Sequence, residues 1–414
     1  MADIQVTSSS AEAGLVYRPQ VAVNATTRYF FYIQTPGVNQ DLFRAKSTDG
    51  GASWGSDTKV NADAVDIDVE GAAIWFDQDT PGDTGTKVHC GWARREGTNP
   101  SENLIYVYRS FDVSGESLGT QVDLANVGQF GGSLSPHLVG ICKARGGNLL
   151  FVGQSTSGFS EDTQTWRSVD GGTTWTQRAD APPQSPVRRP CLLPGNEADT
   201  NDFYMVRSSG NAVLLWHYDD SANTWTEKAT LESEFTATEI NGVTSSSDNH
   251  SFVTPVIGSV PNIRVACWEI TNADTVTART DILTSASIGG GAALMYDNLN
   301  NELYTSYHKG NGAGGAVWKK SADKGVTWGS ETRVDGDDVS GNGCTLQLTV
   351  NADGGLMQPI YFVQTAVEFY AGSLAGGSVV IPPTSGASSN ALAGRSFVLV
   401  FDAERQDTPF GRRG

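Results

Sequence analysis

Residues Ser47–Trp54 read Ser-Thr-Asp-Gly-Gly-Ala-Ser-Trp, and this octapeptide decides the fold because it recurs along the chain. Residues 168–175 (SVDGGTTW) and 321–328 (SADKGVTW) share its pattern, S-x-D-x-G-x-[ST]-W. The Ser and Asp side chains can bond the backbone of a tight turn, and the Gly adopts a conformation closed to residues with a Cβ atom. The repeat therefore predicts a hairpin turn between two strands, with the Trp packed beneath it.

Two weaker copies lie between the strong ones. Residues 218–225 (YDDSANTW) keep the Asp, Thr and Trp, whereas residues 110–118 (SFDVSGESL) carry one inserted residue and end in Leu. If these copies mark further blades and one blade lacks a copy, the repeat recurs about every 55 residues, which is typical of four-stranded propeller blades.

The octapeptide resembles the Asp-box, or bacterial neuraminidase (BNR) repeat, of sialidase-like β-propellers. The resemblance implies that each box forms the outer turn between the third and fourth strands of a blade, away from the central binding face. The boxes therefore indicate the fold and do not mark an active site. The structural residues that the resemblance implies are Ser47, Asp49, Gly51, Trp54, Ser168, Asp170, Gly172, Trp175, Ser321, Asp323, Gly325 and Trp328.

The predicted fold is all-β, a β-propeller of four-stranded antiparallel blades. Seven blades are expected, and six blades plus extra strands is the alternative. The N-terminal residues 4–8 are expected to add the outer strand of the last blade, which would close the ring and remove exposed sheet edges. The predicted blades are 14–60, 68–125, 132–184, 186–232, 245–285, 288–336 and 342–375.

The chain is predicted to contain one propeller domain and a C-terminal extension. Residues 1–375 form the Asp-box propeller. Residues 376–414 are predicted to form a Gly/Ser/Pro-rich linker, one strand at 396–401 and a flexible polar tail.

Composition and charge argue against several classes of partner. The 414 residues carry a net charge of −18, which disfavours nucleic acid and membrane insertion. The segment Met1–Val6 has no basic stretch followed by an apolar core, so no signal peptide is expected and the protein is predicted to be cytoplasmic or virion-associated. Five cysteines without a CxxC pair predict buried free thiols, and we expect no metal and no other cofactor.

The resemblance also implies a catalytic constellation against which the chain can be compared. Sialidases of this family hold a substrate carboxylate with three arginines, and they use a Tyr nucleophile activated by Glu, with an Asp as acid/base. The segment Tyr17–Pro19 matches the first arginine motif only in part, because the Ile of Tyr/Phe-Arg-Ile-Pro is missing. Arg189 could supply a second arginine, but no third precedes the last blade, since Arg333 belongs to a strand that follows a box.

The nucleophile position departs further from the family pattern. Where the family carries an Ala-Tyr-Ser-Asp-Leu run, residues 344–348 read CTLQL. Thr345 stands in place of the Tyr and Gln347 in place of the Asp, so no catalytic residue is assigned.

Four side chains are candidates for ligand contacts at the central channel. The two histidines among them open predicted inner strands, as structural hydrogen-bonding groups or as ligand contacts. The two arginines could face the same channel or pair with carboxylates between blades. The candidates are Arg18, Arg189, His137 and His250.

Acidic runs and aromatic residues give weaker signals. The runs at 63–70, 77–79 and 335–338 match no Ca²⁺-loop spacing and are interpreted as solvated loops. Trp166 and Tyr370 are candidates for stacking on sugars.

Intact fold markers beside a broken catalytic constellation predict a non-catalytic binding or structural module. Its predicted setting is a bacteriophage virion, as a tail, fibre or capsid-associated protein that contacts protein partners in a larger assembly or a host glycan. The alternative is an exo-glycosidase with an altered active site, which would need two carboxylates about 5–9 Å apart in the central cleft. The oligomeric state is left open.

Overall fold

The structure is a computed structural model. It describes residues 4–7, 11–12, 16–35, 39–62, 67–96, 102–130, 138–157, 160–182, 190–195, 200–235, 237–258, 263–271, 273–283, 288–309, 315–333, 351–352, 360–363 and 368–371. The predicted linker, strand and tail at 376–414 lie outside these residues.

The described residues are almost entirely strands and turns, as their frequent Gly, Ser, Thr and Asp residues favour. In chain order the strands are β1 (Ile4–Gln5), β2 (Ala11–Glu12), β3 (Val16–Tyr17), β4 (Gln20–Ala22), β5 (Arg28–Gln34), β6 (Asp41–Ser47), β7 (Thr58–Lys59), β8 (Ile67–Phe76), β9 (Lys87–Glu96), β10 (Glu102–Asp112), β11 (Ser117–Leu118), β12 (Val122–Phe130), β13 (Leu138–Lys143), β14 (Leu149–Ser157), β15 (Ser160–Ser168), β16 (Thr176–Gln177), β17 (Cys191–Pro194), β18 (Phe203–Ser209), β19 (Ala212–Asp219), β20 (Thr224–Glu232), β21 (Ala237–Thr244), β22 (Ser251–Ile257), β23 (Arg264–Val265), β24 (Trp268–Ile270), β25 (Val276–Ala278), β26 (Ile288–Asp297), β27 (Glu302–Lys309), β28 (Gly315–Ser321), β29 (Thr332–Arg333), β30 (Asn351–Ala352), β31 (Ile360–Val363) and β32 (Glu368–Ala371).

One short 3₁₀ turn, Asp77–Asp79, follows β8. No helix in the described part of the chain is long and apolar enough to cross a membrane.

Six sheets have the four-stranded antiparallel order of a propeller blade. They are β4-β5-β6-β7, β8-β9-β10-β11, β13-β14-β15-β16, β17-β18-β19-β20, β21-β22-β24-β25 and β26-β27-β28-β29. The predicted all-β propeller is therefore confirmed, but the count of seven blades is wrong: there are six blades and extra strands.

The segment expected to form a seventh blade contributes a smaller sheet. Strands β31 and β32 pair with β1 in a three-stranded sheet, in which Ile4 lies opposite Ala371. The N-terminus thus pairs with this segment as expected. These strands contain only two to four residues, and the first predicted strand, 344–350, lies outside the described residues.

The fifth blade begins earlier than predicted. Its innermost strand is β21, Ala237–Thr244, whereas the sequence interpretation started this blade at 245. The strand reads ATEINGVT and has neither an apolar run nor a strict alternation, so the period-2 signal of a strand is weak.

Aromatic side chains fill the spaces between blades. Tyr106 of β10 lies 5.6 Å from Phe151 and 5.3 Å from Trp166, measured between ring centroids. Trp166 is only 2% exposed, so the expectation that it is an exposed sugar platform is wrong. The side chain of Tyr370 lies outside the described residues. Burial of such rings removes large apolar areas from water and stabilises blade against blade.

Four of the five cysteines are described, and all four are buried free thiols: Cys90, Cys142, Cys191 and Cys267. Burial raises the pKa of Cys90 and of Cys267 to about 12, so these thiols are poor nucleophiles at neutral pH. The fifth, Cys344, lies outside the described residues.

Each strong Asp-box forms the turn between the third and fourth strands of its blade. In the third blade Gly172 N donates to Ser168 Oγ (2.8 Å), and Ser168 Oγ donates to Asp170 Oδ1 (2.8 Å). Asp170 also accepts bonds from the backbone (2.9 Å) and the hydroxyl (2.6 Å) of Thr174. The Thr174 and Ser168 bonds to the carboxylate lower the pKa of Asp170 to about 2.

The other two boxes repeat this geometry closely. Gly51 N lies 2.8 Å from Ser47 Oγ, and Gly325 N lies 2.7 Å from Ser321 Oγ. The carboxylates of Asp49 and Asp323 make the corresponding bonds to residues 53 and 327. The three turns are therefore equivalent, in blades one, three and six.

The tryptophans of the boxes contact neighbouring parts of the propeller. The Trp175 ring lies 4.9 Å from the Tyr108 ring of the second blade. Trp328 Nε1 donates to Thr280 O beyond the fifth blade (3.0 Å). Trp54 is half-buried against the cluster around Phe30 and Tyr32. The first and second of these contacts reach beyond the blade that carries the box, so a local turn motif also fixes tertiary structure.

We expect Gly172→Ala to be more destabilising than Gly210→Ala. Both glycines have a positive φ, +94° at Gly172 and +56° at Gly210. An alanine in this left-handed conformation would be destabilised by about 1–2 kcal/mol at either site. Only at Gly172 would the new Cβ also overlap a fixed group, the Tyr108 ring; at Gly210 no atom of the described residues, chain neighbours aside, lies within 4 Å of the new Cβ. This overlap should cost about 1–3 kcal/mol more. Urea unfolding of both variants measures the difference, and equal losses would contradict it.

Candidate functional site

The N-terminal segment leaves the first blade and joins the innermost strand of the second. Strands β2 and β4 both pair antiparallel with β5, whereas Val16–Tyr17 between them pairs parallel with Ala72 and Ala73 of β8. Small side chains at these two positions allow the close approach. The innermost strand of the first blade is therefore interrupted by an excursion toward the inner strands of other blades.

Tyr17 and Arg18 connect this excursion to the opposite side of the ring. The Tyr17 hydroxyl donates to Ile240 O (3.2 Å), and Arg18 Nη2 donates to Gly242 O (2.8 Å). Both acceptors belong to β21, the innermost strand of the fifth blade. Arg18 Nη2 also lies 3.8 Å from Cys191 Sγ on the innermost strand of the fourth blade. The excursion thus contacts the inner strands of the second, fourth and fifth blades.

The Arg18 guanidinium is held inside the protein. The residue is 4% exposed, and its Cζ lies 4.6 Å from the centroid of the Trp75 ring and 5.0 Å from that of Tyr17. Such stacking favours a cation. Burial alone would lower the pKa of Arg18, but neighbouring groups, Tyr17 first among them, outweigh burial and raise it.

Two features of Arg18 are unusual for a structural residue. Its φ is +53°, a left-handed conformation that costs about 1–2 kcal/mol outside glycine. Its Nε and Nη1 atoms are buried and have no hydrogen-bond partner among the described residues. The amide of Gln20, two residues later, is also buried without a partner in that part of the chain.

Of the other predicted site residues the structure describes His250 alone, and His250 does not join Arg18. Arg189 and His137 lie outside the described residues. His250 precedes β22, the second strand of the fifth blade, so the expectation that it opens an inner strand is wrong. Its Nδ1 lies 2.7 Å from Glu269 Oε1 and 3.6 Å from Asp248. Because a meander brings the first and third turns of a blade to one end, His250 lies at the Asp-box end.

The acidic runs are less solvated than expected. Asp77 and Asp79 form the 3₁₀ turn and are buried. Arg95 pairs with Asp68 (2.6 Å) and with Glu70 (2.9 Å) near the start of β8, at the end opposite the boxes. The interpretation as solvated loops is therefore wrong for these four residues. Residues 63–66 and 335–338 lie outside the described part of the chain.

Sequence reasoning missed two cations, the buried Arg207 and the partly buried Lys143. Arg207, inside the apolar strand Phe203–Ser209, donates to Pro182 O and stacks 5.3 Å from the Trp216 ring centroid. Burial lowers the pKa of Arg207 to about 10. Lys143 contacts Asp77 Oδ1 at 2.6 Å. The available signal was a charged residue inside or directly after an apolar run, where an unpaired charge is costly.

The nucleophile region implied by the resemblance, Thr345 and Gln347, lies outside the described residues. Arg333 is in β29, the strand after the third box, as predicted.

No protein-family model matches the chain, and no curated protein matches it in sequence. Among solved structures, a polysaccharide lyase, the PL25 ulvan lyase bound to -[GlcA(1-4)Rha3S]-, is similar with a TM-score of 0.53. The identity is 10%, over 89% of this chain and 96% of that chain. The shared feature is the fold.

Two further structures are more distant. The NanB sialidase from Streptococcus pneumoniae has a TM-score of 0.41 at 11% identity, covering 90% of this chain and 69% of that chain. An alpha-L-arabinanase from Penicillium chrysogenum has a TM-score of 0.44 at 12% identity, covering 73% and 91%.

Proposed function

We propose that this propeller is a non-catalytic binding or structural module. The observation that carries the proposal is the burial of Arg18, the residue that the Asp-box resemblance implies for substrate binding. Its guanidinium contacts the chain's own Gly242 O, Trp75 and Tyr17. An arginine that binds a ligand carboxylate must present two N–H groups on one edge of its guanidinium to the ligand. Here Arg18 is buried beside the excursion of Val16–Tyr17 instead.

Two described carboxylates near the start of the innermost strand of the second blade are already paired. Asp68 and Glu70 both pair with Arg95. Both carboxylates are therefore engaged by an arginine of the chain itself, which supports the proposal.

The proposed partners are proteins of a larger assembly or a glycan, and the proposed setting is a virus particle. Support comes from composition: 47 glycines, 28 Lys plus Arg and 46 Asp plus Glu. Such a chain favours turns and short strands and disfavours polyanions.

A substrate screen tests the proposal. We expect no turnover of chromogenic glycosides, sialosides included, and no cleavage of acidic polysaccharides. Binding to a glycan array or to isolated virion proteins is the expected positive result. Turnover that is lost in Arg18→Ala but kept in Arg167→Ala, which removes an arginine paired with Asp220 at the Asp-box end, would overturn it.

A second candidate is an exo-glycosidase acting on an acidic sugar. The observation that favours it is the pair of unpartnered donors, Arg18 Nε and Nη1, beside the unpartnered amide of Gln20. Each of these donors could give one hydrogen bond to a ligand carboxylate, although they lie on different edges of the guanidinium and do not form a bidentate pair. The saccharide named with the ulvan lyase contains glucuronic acid, which carries one.

The stability of Arg18→Met separates the two candidates. If the guanidinium is structural, loss of its bond to Gly242 and its stacking on Trp75 should lower the free energy of unfolding by about 1–3 kcal/mol. A higher free energy of unfolding in Arg18→Met would show that the buried guanidinium destabilises the wild type, and would favour the second candidate. Denaturant unfolding measures the change. Addition of glucuronate or sialate during the measurement should then stabilise the wild type and not the variant.

A further inference from the structure

A chain of buried hydrogen bonds joins the second and third blades at the Asp-box end. His89 Nε2 lies 3.0 Å from Asp77 Oδ1, and His89 Nδ1 lies 2.8 Å from the Tyr108 hydroxyl. Asp77 Oδ1 also accepts a bond from Lys143 Nζ (2.6 Å), at the end of the first strand of the third blade. We call Tyr108, His89, Asp77 and Lys143 the His89 cluster.

The Tyr108 hydroxyl has two acceptors and one proton. Besides His89 Nδ1, it lies 3.2 Å from Gly171 O in the Asp-box turn of the third blade. Since the Asp77 carboxylate only accepts bonds, His89 Nε2 must carry a hydrogen. A neutral ring then leaves Nδ1 bare, so the hydroxyl donates to Nδ1 and Gly171 O receives no proton from it.

A second proton on the ring would reverse the hydrogen bond between His89 Nδ1 and the Tyr108 hydroxyl. Nδ1–H would then donate to the Tyr108 oxygen, and the hydroxyl would turn to Gly171 O. The resulting imidazolium would be 1% exposed and would share the single Asp77 carboxylate with the Lys143 ammonium. Lys143 also pairs with the half-buried Asp83 (2.7 Å), so the main cost is that of holding an imidazolium away from water beside a second cation.

We propose that the His89 cluster is an acid-sensitive contact between the second and third blades, firm while His89 is neutral and weakened when the ring takes a second proton. The ring is enclosed by Asp77 after β8, Lys87 on its own strand, Tyr108 on β10, and Lys143 of the third blade. Asp83 pairs with Lys143 (2.7 Å), and Asp170 lies in the box whose Gly171 faces Tyr108.

The groups around His89 determine the direction in which its pKa is shifted. Burial lowers the pKa of His89 from its usual 6.5, and this effect outweighs the hydrogen bond to Asp77 that would raise it; Lys143 and Lys87 lower it further. The unfolded chain therefore takes up the proton first as pH falls. The contribution of neutral His89 to stability is full above about pH 6.5 and is lost as pH falls below it.

Two measurements on the full chain test the proposal. Nitrogen-15 NMR of ring-labelled histidine should show His89 neutral, with hydrogen on Nε2, at pH 7 and still neutral at pH 6. Thermal unfolding from pH 7 to pH 5 should show a fall in Tm that is roughly halved in His89→Gln. Val152→Ala, a core truncation in the third blade, is the control and should keep the wild-type dependence on pH.

If His89→Gln does not fold, the NMR measurement still tests the proposal, because it needs only the wild type. A hydrogen on Nδ1 at neutral pH, or a His89 ring that titrates at or above pH 6.5, would overturn the proposal. An undiminished fall in Tm for His89→Gln would do the same.

Discussion

Replacing Asp77 with alanine should lower the free energy of unfolding by about 3–5 kcal/mol, because it leaves the buried His89 ring without its acceptor and removes one of the two carboxylates on the partly buried Lys143. Asp77 accepts bonds from His89 Nε2, Lys143 Nζ and the Lys87 amide. Burial alone would raise the pKa of Asp77, but these bonds, that of His89 first, outweigh burial and hold the pKa below its usual range. The contribution of Asp77 is therefore present above about pH 4 and is lost as pH falls.

Asp83→Ala is the matched control. This carboxylate also contacts Lys143, but it is half-buried and lies outside the hydrogen-bond chain, so its loss should cost about 1 kcal/mol or less. Chemical denaturation at pH 7 compares the two variants. Equal losses would mean that Asp77 is no more than one of two exchangeable partners of Lys143.

Replacing Trp75 with alanine should lower the free energy of unfolding by about 3–5 kcal/mol. The side chain is fully buried, and its Nε1 donates to Thr80 Oγ1 (2.9 Å), which in turn donates to Lys143 O (2.9 Å). The ring also supports the Arg18 guanidinium. The substitution would therefore open a cavity and remove the stacking partner of a buried cation.

Trp75→Phe separates these contributions, because it keeps much of the ring area and removes the Nε1 donor. We expect Trp75→Phe to retain more than half of the stability that Trp75→Ala loses, as measured by guanidinium unfolding at pH 7. A loss from Trp75→Phe as large as that from Trp75→Ala would assign the effect to the Thr80 bond alone.

The part of the fold that could be predicted from sequence is the part encoded locally. Within each Asp-box, the hydroxyl, the carboxylate and the glycine act on a turn only four residues wide, so eight residues carry the complete signal. The same reasoning identified Arg18, because a short motif placed it before the first box.

What sequence reasoning missed depends on contacts across large separations. The polar strand Ala237–Thr244 is innermost because it lies beside the fourth and sixth blades, and nothing in its own pattern shows this. The His89 cluster combines β9, β10 and the 3₁₀ turn of the second blade with β13 of the third blade. The seven-blade expectation failed because strand-like runs were counted without knowing how many residues of each would pair.

The path of the N-terminal segment has a consequence for the order of folding. The bond from Arg18 to Gly242 joins residues 224 positions apart in the chain, and Ile4 pairs with Ala371. During synthesis Arg18 and Ile4 can reach these positions only after the fifth blade and the last sheet have been made. Such distant loop closures are entropically costly and slow. We therefore expect the strands around Ile4 and Arg18 to pair last, after the blades that follow them in the chain have formed.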